Sequence, residues 1–232
     1  MVALSSLLAV NTVFAEDEKK VWEGNADVGI VITNGNTDSK STNAKVLAVR
    51  EVEKWRHHLE FSSYSKSDND NTTEEKYFAE GKIDRKLGKK NYIFALVNYE
   101  KDRFSGFDHQ ALLSAGAGRR TIDDANMTLD VELGIGVRFN ETDAGVTDEE
   151  PVLRVAADFN WDISDTSAFR QTLSIEGGDE TTITKSLTSL TAKINDNGLS
   201  MKASFEAKHT SEVPVGTKRT DTTTTLGVTY AF

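Results

Sequence analysis

Between Met127 and Asn140 every odd position is apolar (Met127, Leu129, Val131, Leu133, Ile135, Val137, Phe139), and every even one is polar or glycine (Thr128, Asp130, Glu132, Gly134, Gly136, Arg138, Asn140). A helix would scatter the two sets over all its faces, whereas a strand sends one to each side of a sheet. The pattern returns from Pro151 to Asp162, with Leu153, Val155, Ala157, Phe159 and Trp161 opposing Arg154, Asp158 and Asn160. From Leu199 to Thr210 it sets Met201, Ala203 and Phe205 against Lys202, Ser204 and Glu206, and it closes the chain with Leu226, Val228, Tyr230 and Phe232.

Weaker alternations occupy Trp22 to Thr33, Ser41 to Val52, Arg56 to Lys66, Glu74 to Leu87, Tyr92 to Arg103, His109 to Arg120, Ala168 to Gly177 and Thr182 to Ile194. With the four clean segments they predict twelve strands, ten and fourteen being the neighbouring even counts. The faces around Lys45, Phe94 and Thr188 stay ambiguous on pattern alone. Segments of this length match the roughly 9 to 11 tilted residues that cross a hydrocarbon layer better than the roughly 5 or 6 usual in soluble sheets. The expected fold is therefore all-β, a transmembrane up-and-down antiparallel barrel of about twelve strands. A soluble lipocalin-like or sandwich protein, burying the same apolar face inward, is the alternative.

Connections give a second test. Counted from the first strand, alternate ones are short (Glu53-Lys54-Trp55, Gly88 to Asn91, Asp123 to Asn126, Ser164-Asp165-Thr166, Asp196-Asn197-Gly198). The others read as longer or more polar: Asn34 to Lys40, Ser67 to Thr73, Phe104 to Asp108, Glu141 to Glu150, Gly178 to Thr181 and Ser211 to Lys218. Short turns on one rim and long loops on the other is the asymmetry of bacterial outer-membrane barrels.

Residues 1–15 carry no charge, contain the run Leu7-Leu8-Ala9-Val10 and end Val13-Phe14-Ala15 before an abrupt switch to Glu16-Asp17-Glu18. This is the hydrophobic core and cleavage site of a secretory signal peptide, which leaves 16–232 as the mature barrel and predicts export to the bacterial outer membrane. The net charge of −10 and the lack of any basic stripe argue against nucleic-acid binding. Zero cysteine removes disulfides and thiolate chemistry.

Trp22, Trp55, Tyr92 and Trp161 fall at strand ends beside the short turns, and Tyr64, Tyr77, Tyr99 and Phe139 beside the long loops. Two interfacial aromatic girdles are expected. The ending Gly227-Val228-Thr229-Tyr230-Ala231-Phe232 resembles the C-terminal strand signal read by the outer-membrane assembly machinery, carried by Gly227, Val228, Tyr230 and Phe232. Trp22 to Gly29, followed by Thr33-Asn34-Gly35-Asn36-Thr37-Asp38, resembles the opening of the YdiY-like family of salt-induced outer-membrane proteins. That resemblance implies a location and a fold; it brings no substrate, reaction or functional residue.

The lumen face then carries both signs of charge. Asp130, Glu132, Arg138, Arg154, Asp158, Arg170, Lys202 and Glu206 are the expected pore-lining residues, with Arg138 and Arg154 foremost because they sit on adjacent clean strands. Two functions fit: a narrow passive pore for ions or small solutes, tied to salt or osmotic stress, or a non-conducting structural barrel whose lumen is closed by salt bridges. Lipid and lipopolysaccharide are the expected surroundings. No cofactor is expected. The acidic runs Asp68, Asp70, Glu74, Glu75 and Glu141, Asp143, Asp148, Glu149, Glu150 lack the spacing of a calcium loop, so no metal site is expected. His109 and His209, with Ser105 and Ser211 the closest hydroxyls, form no catalytic motif, so no enzymatic activity is expected either.

Overall fold

A computed structural model of the chain describes residues 22–33, 39–103, 105, 107–213 and 218–232. The export segment 1–15, the stretch 34–38 and Phe104 lie outside the described residues. Twelve strands follow one another: β1 (Trp22–Thr33), β2 (Ser39–Val52), β3 (Trp55–Asp68), β4 (Asn71–Lys86), β5 (Asn91–Asp102), β6 (Phe107–Asp123), β7 (Met127–Thr142), β8 (Thr147–Ser164), β9 (Ser167–Gly178), β10 (Thr182–Lys193), β11 (Leu199–Thr210) and β12 (Thr220–Ala231). Each pairs antiparallel with its sequence neighbours, and β12 returns to β1, so the sheet closes on itself.

The polarity of the wall is inverted relative to a soluble protein. Ile135, Met201 and Leu226 are 71%, 62% and 65% exposed, and Leu59, Phe61, Val97, Leu113, Leu133 and Leu153 share that outer surface. A sandwich would have buried them. A twelve-residue strand rises about 3.3 Å per residue, and a tilt of about 40° leaves a wall roughly 30 Å tall, the thickness of a hydrocarbon layer. The closing seam is fixed at its inner end by a reciprocal backbone pair, Gly24 N to Phe232 O at 3.2 Å and Phe232 N to Gly24 O at 3.0 Å.

Two expected loops are much shorter than the sequence suggests. Ser67 to Thr73 is almost all strand, since β3 and β4 meet at a two-residue turn whose residues, Asn69 and Asp70, have φ of 49° and 63°. Asn and Asp tolerate this left-handed geometry, which a tight hairpin needs at both central positions. Glu141 to Glu150 likewise shortens to a connection at 143–146 between β7 and β8. The acidic residues read as loop therefore extend the wall, and the rims differ less in loop length than the sequence suggested.

One girdle residue is corrected as well. Trp22, Trp55 and Trp161 stand about 40% exposed at the inner strand ends, and Tyr77, Tyr99 and Phe139 face outward near the other rim. Tyr92 does not join them: β5 turns its even positions inward, burying Tyr92, Phe94 and Leu96 while exposing Ile93, Val97 and Tyr99. Tyr64 also faces inward, level with Lys76.

A half-filled, charge-laced lumen as candidate functional site

The inward turn of β5 follows from what faces it. Tyr92 and Phe94 are level with Gly118 and Gly116 on β6, which in turn face Glu132 and Gly134 on β7. A Cβ on Gly118 would lie 2.2 Å from Tyr92 Cζ, and one on Gly134 would lie 2.9 Å from Phe94 Cζ. Glycine thus hollows the wall where the rings lie, and Leu112 and Val152 complete a small apolar core inside the barrel. Gly118→Ala is expected to destabilise the barrel by about 1–3 kcal/mol through overpacking, with much of that recovered by Tyr92→Leu in the same chain. Urea refolding into lipid vesicles would measure both.

Around this core runs an ion-pair network that spans five strands. Arg56 on β3 donates Nε–H to Asp84 at 2.7 Å and Nη1–H to Asp130 on β7 at 3.1 Å. Asp130 also accepts both branches of Arg120, at 2.9 and 3.0 Å. Glu132 accepts from Lys82, from the Tyr92 hydroxyl at 2.9 Å and from Arg154 at 2.8 Å. The Arg56 guanidinium lies 5.0 Å from the Tyr92 ring centre, and Arg154 lies 5.6 Å from that of Phe94. Desolvated charges on this side are therefore paired, as the low dielectric requires.

The other side stays open. A cavity of about 720 Å³ runs beside β1 to β4 and β9 to β12, from Arg56 and Asp130 at the inner end to Glu74, Lys218 and Asp221 at the outer. On β3 alone it is lined from Arg56 to Tyr64, which at the strand rise and tilt above is a height of about 20 Å. Lys45 donates to Glu60 at 2.6 Å, Lys202 to Asp27 at 2.6 Å and Arg170 to Asp158 at 2.7 Å along its wall.

Near its outer end the cavity is bordered by a strap. Glu100 on β5 accepts from Lys208 on β11 at 2.5 Å and from Lys185 on β10 at 2.9 Å. Strands β5 and β11 are six places apart in a ring of twelve, so this carboxylate ties opposite walls together. Lys208 also reaches Gln110 Oε1 at 3.2 Å.

Of the sequence-predicted lining residues, Asp130, Glu132, Arg154, Asp158, Arg170, Lys202 and Glu206 border this cavity. Arg138 does not. It points inward but is 2% exposed, holding Glu150 at 2.6 Å, the Thr181 carbonyl at 3.0 Å and the Glu176 carbonyl at 2.9 Å. Glu150 Oε2 accepts in turn from the Glu180 and Thr181 amides. Arg138 is thus a clamp on the β9–β10 connection, and alternation, which reports only the face, does not distinguish it from a wall residue. Glu100 and Lys185 escaped the sequence reading, because the contacts of Glu100 with Lys185 and Lys208 join strands that pairing never brings together. His109 stacks on Tyr99 with its Nδ1 on Asp108 at 3.1 Å, and His209 Nδ1 pairs with the Thr220 hydroxyl at 2.8 Å.

An apolar outer wall, a charged interior and twelve antiparallel strands in a closed ring define the architecture of an outer-membrane β-barrel. The translocator domain of the autotransporter NalP from Neisseria meningitidis shares it, at a TM-score of 0.50 and 14% identity over 94% of this chain and 90% of that one. More remote in shape are an outer membrane channel from Pseudomonas putida F1 (TM-score 0.49, 8% identity, 91% and 93% covered) and the KdgM porin (0.45, 12%, 90% and 99%). Residues 26–232 match the model of the DUF481 family, described as proteins of unknown function, and the chain belongs to that family. It is also 28% identical over 220 residues to the Uncharacterized protein YdiY of Escherichia coli (strain K12), covering 92% of this chain and 84% of that one.

Proposed function

We propose that this protein sits in the bacterial outer membrane and passes ions or small solutes through a narrow channel along one side of its lumen, serving under salt or osmotic stress. The observation that carries this reading is the cavity itself, a continuous space about 20 Å tall lined by charge on nearly every side. Twelve carboxylates line it against nine lysines and arginines among the described residues, so a weak preference for cations follows. Export through a cleaved signal peptide, delivery by the assembly machinery through Gly227, Val228, Tyr230 and Phe232, and contact with lipopolysaccharide belong to the same reading. Catalysis does not.

The strap at Glu100 favours a second reading, a closed structural barrel that conducts nothing. Planar-bilayer recording separates the two. Protein shown to be folded by its heat-dependent gel mobility is expected to give small, reproducible steps with a reversal potential on the cation side in a salt gradient. Silence from folded protein would overturn the channel and leave the structural barrel.

A further inference from the structure

Lys45, Arg56, Lys82, Arg154, Lys185 and Lys202 in the lumen are each held by a carboxylate. One sector outside the lumen differs. At the short-turn rim of β2 to β6, Arg50, Lys54, Arg85, Lys89, Lys90 and Arg119 enter no ion pair among the described residues. Arg119 has the Asn91 side chain at 3.3 Å, and Arg50 Nε is buried without a hydrogen-bond partner. Acids are few here: Glu51 is taken by Lys86, and Glu53 stands exposed in the β2–β3 turn. Further round the same rim the turns carry Asp124, Asp165 and Asp196 instead. The rim is therefore basic on one side and acidic on the other.

Strand register gathers four of these cations into one patch. Asp84 takes the lumen side of β4 at 1% exposure, so Arg85 beside it faces out, its guanidinium 5.9 Å from the ring centre of Trp55. Arg85 is level with Ile93 on β5, and Arg119 on β6 is level with Asn91. Strands β4 and β6 lie two strand spacings apart, roughly 10 Å, and the turn carrying Lys89 and Lys90 comes between them. Lys90 is tied to β6 there, its carbonyl accepting from Arg120 N at 2.8 Å. Toward the middle of the wall, Ala95, Ala115 and Ala117 adjoin on the outward face. Ile83 and Ile93 flank them on one side and Leu133 and Ile135 on the other, so three small side chains leave a shallow apolar trough leading up from the cations.

An interfacial tryptophan marks the level of lipid headgroups, and arginine meets phosphate through two parallel charge-assisted hydrogen bonds. Basic clusters beside a hydrophobic wall recognise anionic lipid. From this placement we infer that the β4–β6 sector of the inner rim is a binding site for an anionic glycerophospholipid. Arg85, Lys89, Lys90 and Arg119 hold the phosphate and headgroup, and an acyl chain lies over the three alanines. A zwitterionic headgroup brings no net charge to neutralise unpaired cations, and a second copy of this chain would set the same cations against each other. Short turns mark this rim as the periplasmic one, where the leaflet is phospholipid rather than lipopolysaccharide, and on that point the assignment rests on the membrane location proposed above.

Tryptophan quenching tests it, because Trp55 stands inside the site and Trp161 stands on the acidic side of the same rim. Two full-length variants are folded into phosphatidylcholine vesicles and checked by heat-dependent gel mobility: Trp22→Phe/Trp161→Phe, which keeps Trp55, and Trp22→Phe/Trp55→Phe, which keeps Trp161. Each is titrated with phosphatidylglycerol or phosphatidylcholine brominated on the acyl chains, and the ratio of the two association constants is read from the quenching. A ratio several-fold above unity at Trp55 and near unity at Trp161 is the expected result. Adding Arg85→Gln, Lys89→Gln and Lys90→Gln to the Trp55 chain is expected to bring its ratio down to that of Trp161. Equal ratios at the two tryptophans, or a Trp55 ratio unmoved by the glutamines, would overturn the site. Should the triple change not fold, Lys89→Gln/Lys90→Gln alone, in the exposed turn, decides by the same fall or its absence. Failure of the unsubstituted chain to fold into vesicles would sink the membrane location and the site together, whereas a folded chain with equal ratios sinks the site alone.

Discussion

Arg138→Met is expected to lower the unfolding free energy of the barrel by about 3–5 kcal/mol, the usual cost of removing one partner from a buried ionic cluster. The guanidinium is 2% exposed and meets Glu150 at 2.6 Å, Glu176 Oε2 at 3.6 Å and two backbone carbonyls. Methionine fills most of its volume but leaves the nearly buried carboxylates of Glu150 and Glu176 without the guanidinium that holds them. A purely steric role would make methionine nearly neutral; an ionic clamp makes it severe. The double variant Arg138→Met with Glu150→Gln is expected to regain part of the loss, because removing both charges avoids leaving one uncompensated. Equilibrium urea refolding into vesicles checks both. A single-variant loss under about 1 kcal/mol, as for exposed pairs, would refute the clamp.

The twelve strands were legible because the membrane imposes one strict rule on the outer face, and Met127 to Asn140 or Leu199 to Ala207 obey it without exception. Ambiguity began where the inner face broke the rule. Tyr92, Phe94 and Leu96 are apolar and yet inward, so β5 carries apolar residues on both faces and its alternation vanishes. The signal that resolves it lies on other strands. Gly116, Gly118 and Gly134 stand at lumen positions of β6 and β7 and leave the volume that Tyr92 and Phe94 occupy. The rim was misread for a related reason: Asn69-Asp70 and its charged neighbours have loop composition, but a two-residue turn allows the strands to continue through them. Charge on the lumen face was legible; which charges meet was not. The Arg56–Asp130 and Glu100–Lys208 contacts skip across the ring, and local spacing holds no record of the curvature that brings them together.

That curvature makes Glu100 the residue whose replacement should change conduction most. Glu100→Gln keeps the shape of the side chain and removes the charge that holds Lys185 and Lys208, which approach it at 2.9 and 2.5 Å from the far wall. Hydrogen bonds to charged groups contribute about 1.5–3 kcal/mol each, so losing even one such contribution shifts a strapped–unstrapped equilibrium by tenfold or more. If the strap limits passage, the open fraction in single-channel records rises by at least that factor. The selectivity should move too, because the cavity loses one of its twelve carboxylates beside two lysines, which weakens the cation preference. Glu60→Gln is the matched control: it removes one negative charge that holds a lysine, Lys45, in the same cavity and away from the strap, and should shift the reversal potential slightly while leaving the open fraction unchanged. Equal behaviour of the two variants would mean that Glu100 is one wall charge among many and that the outer end is not where passage is decided.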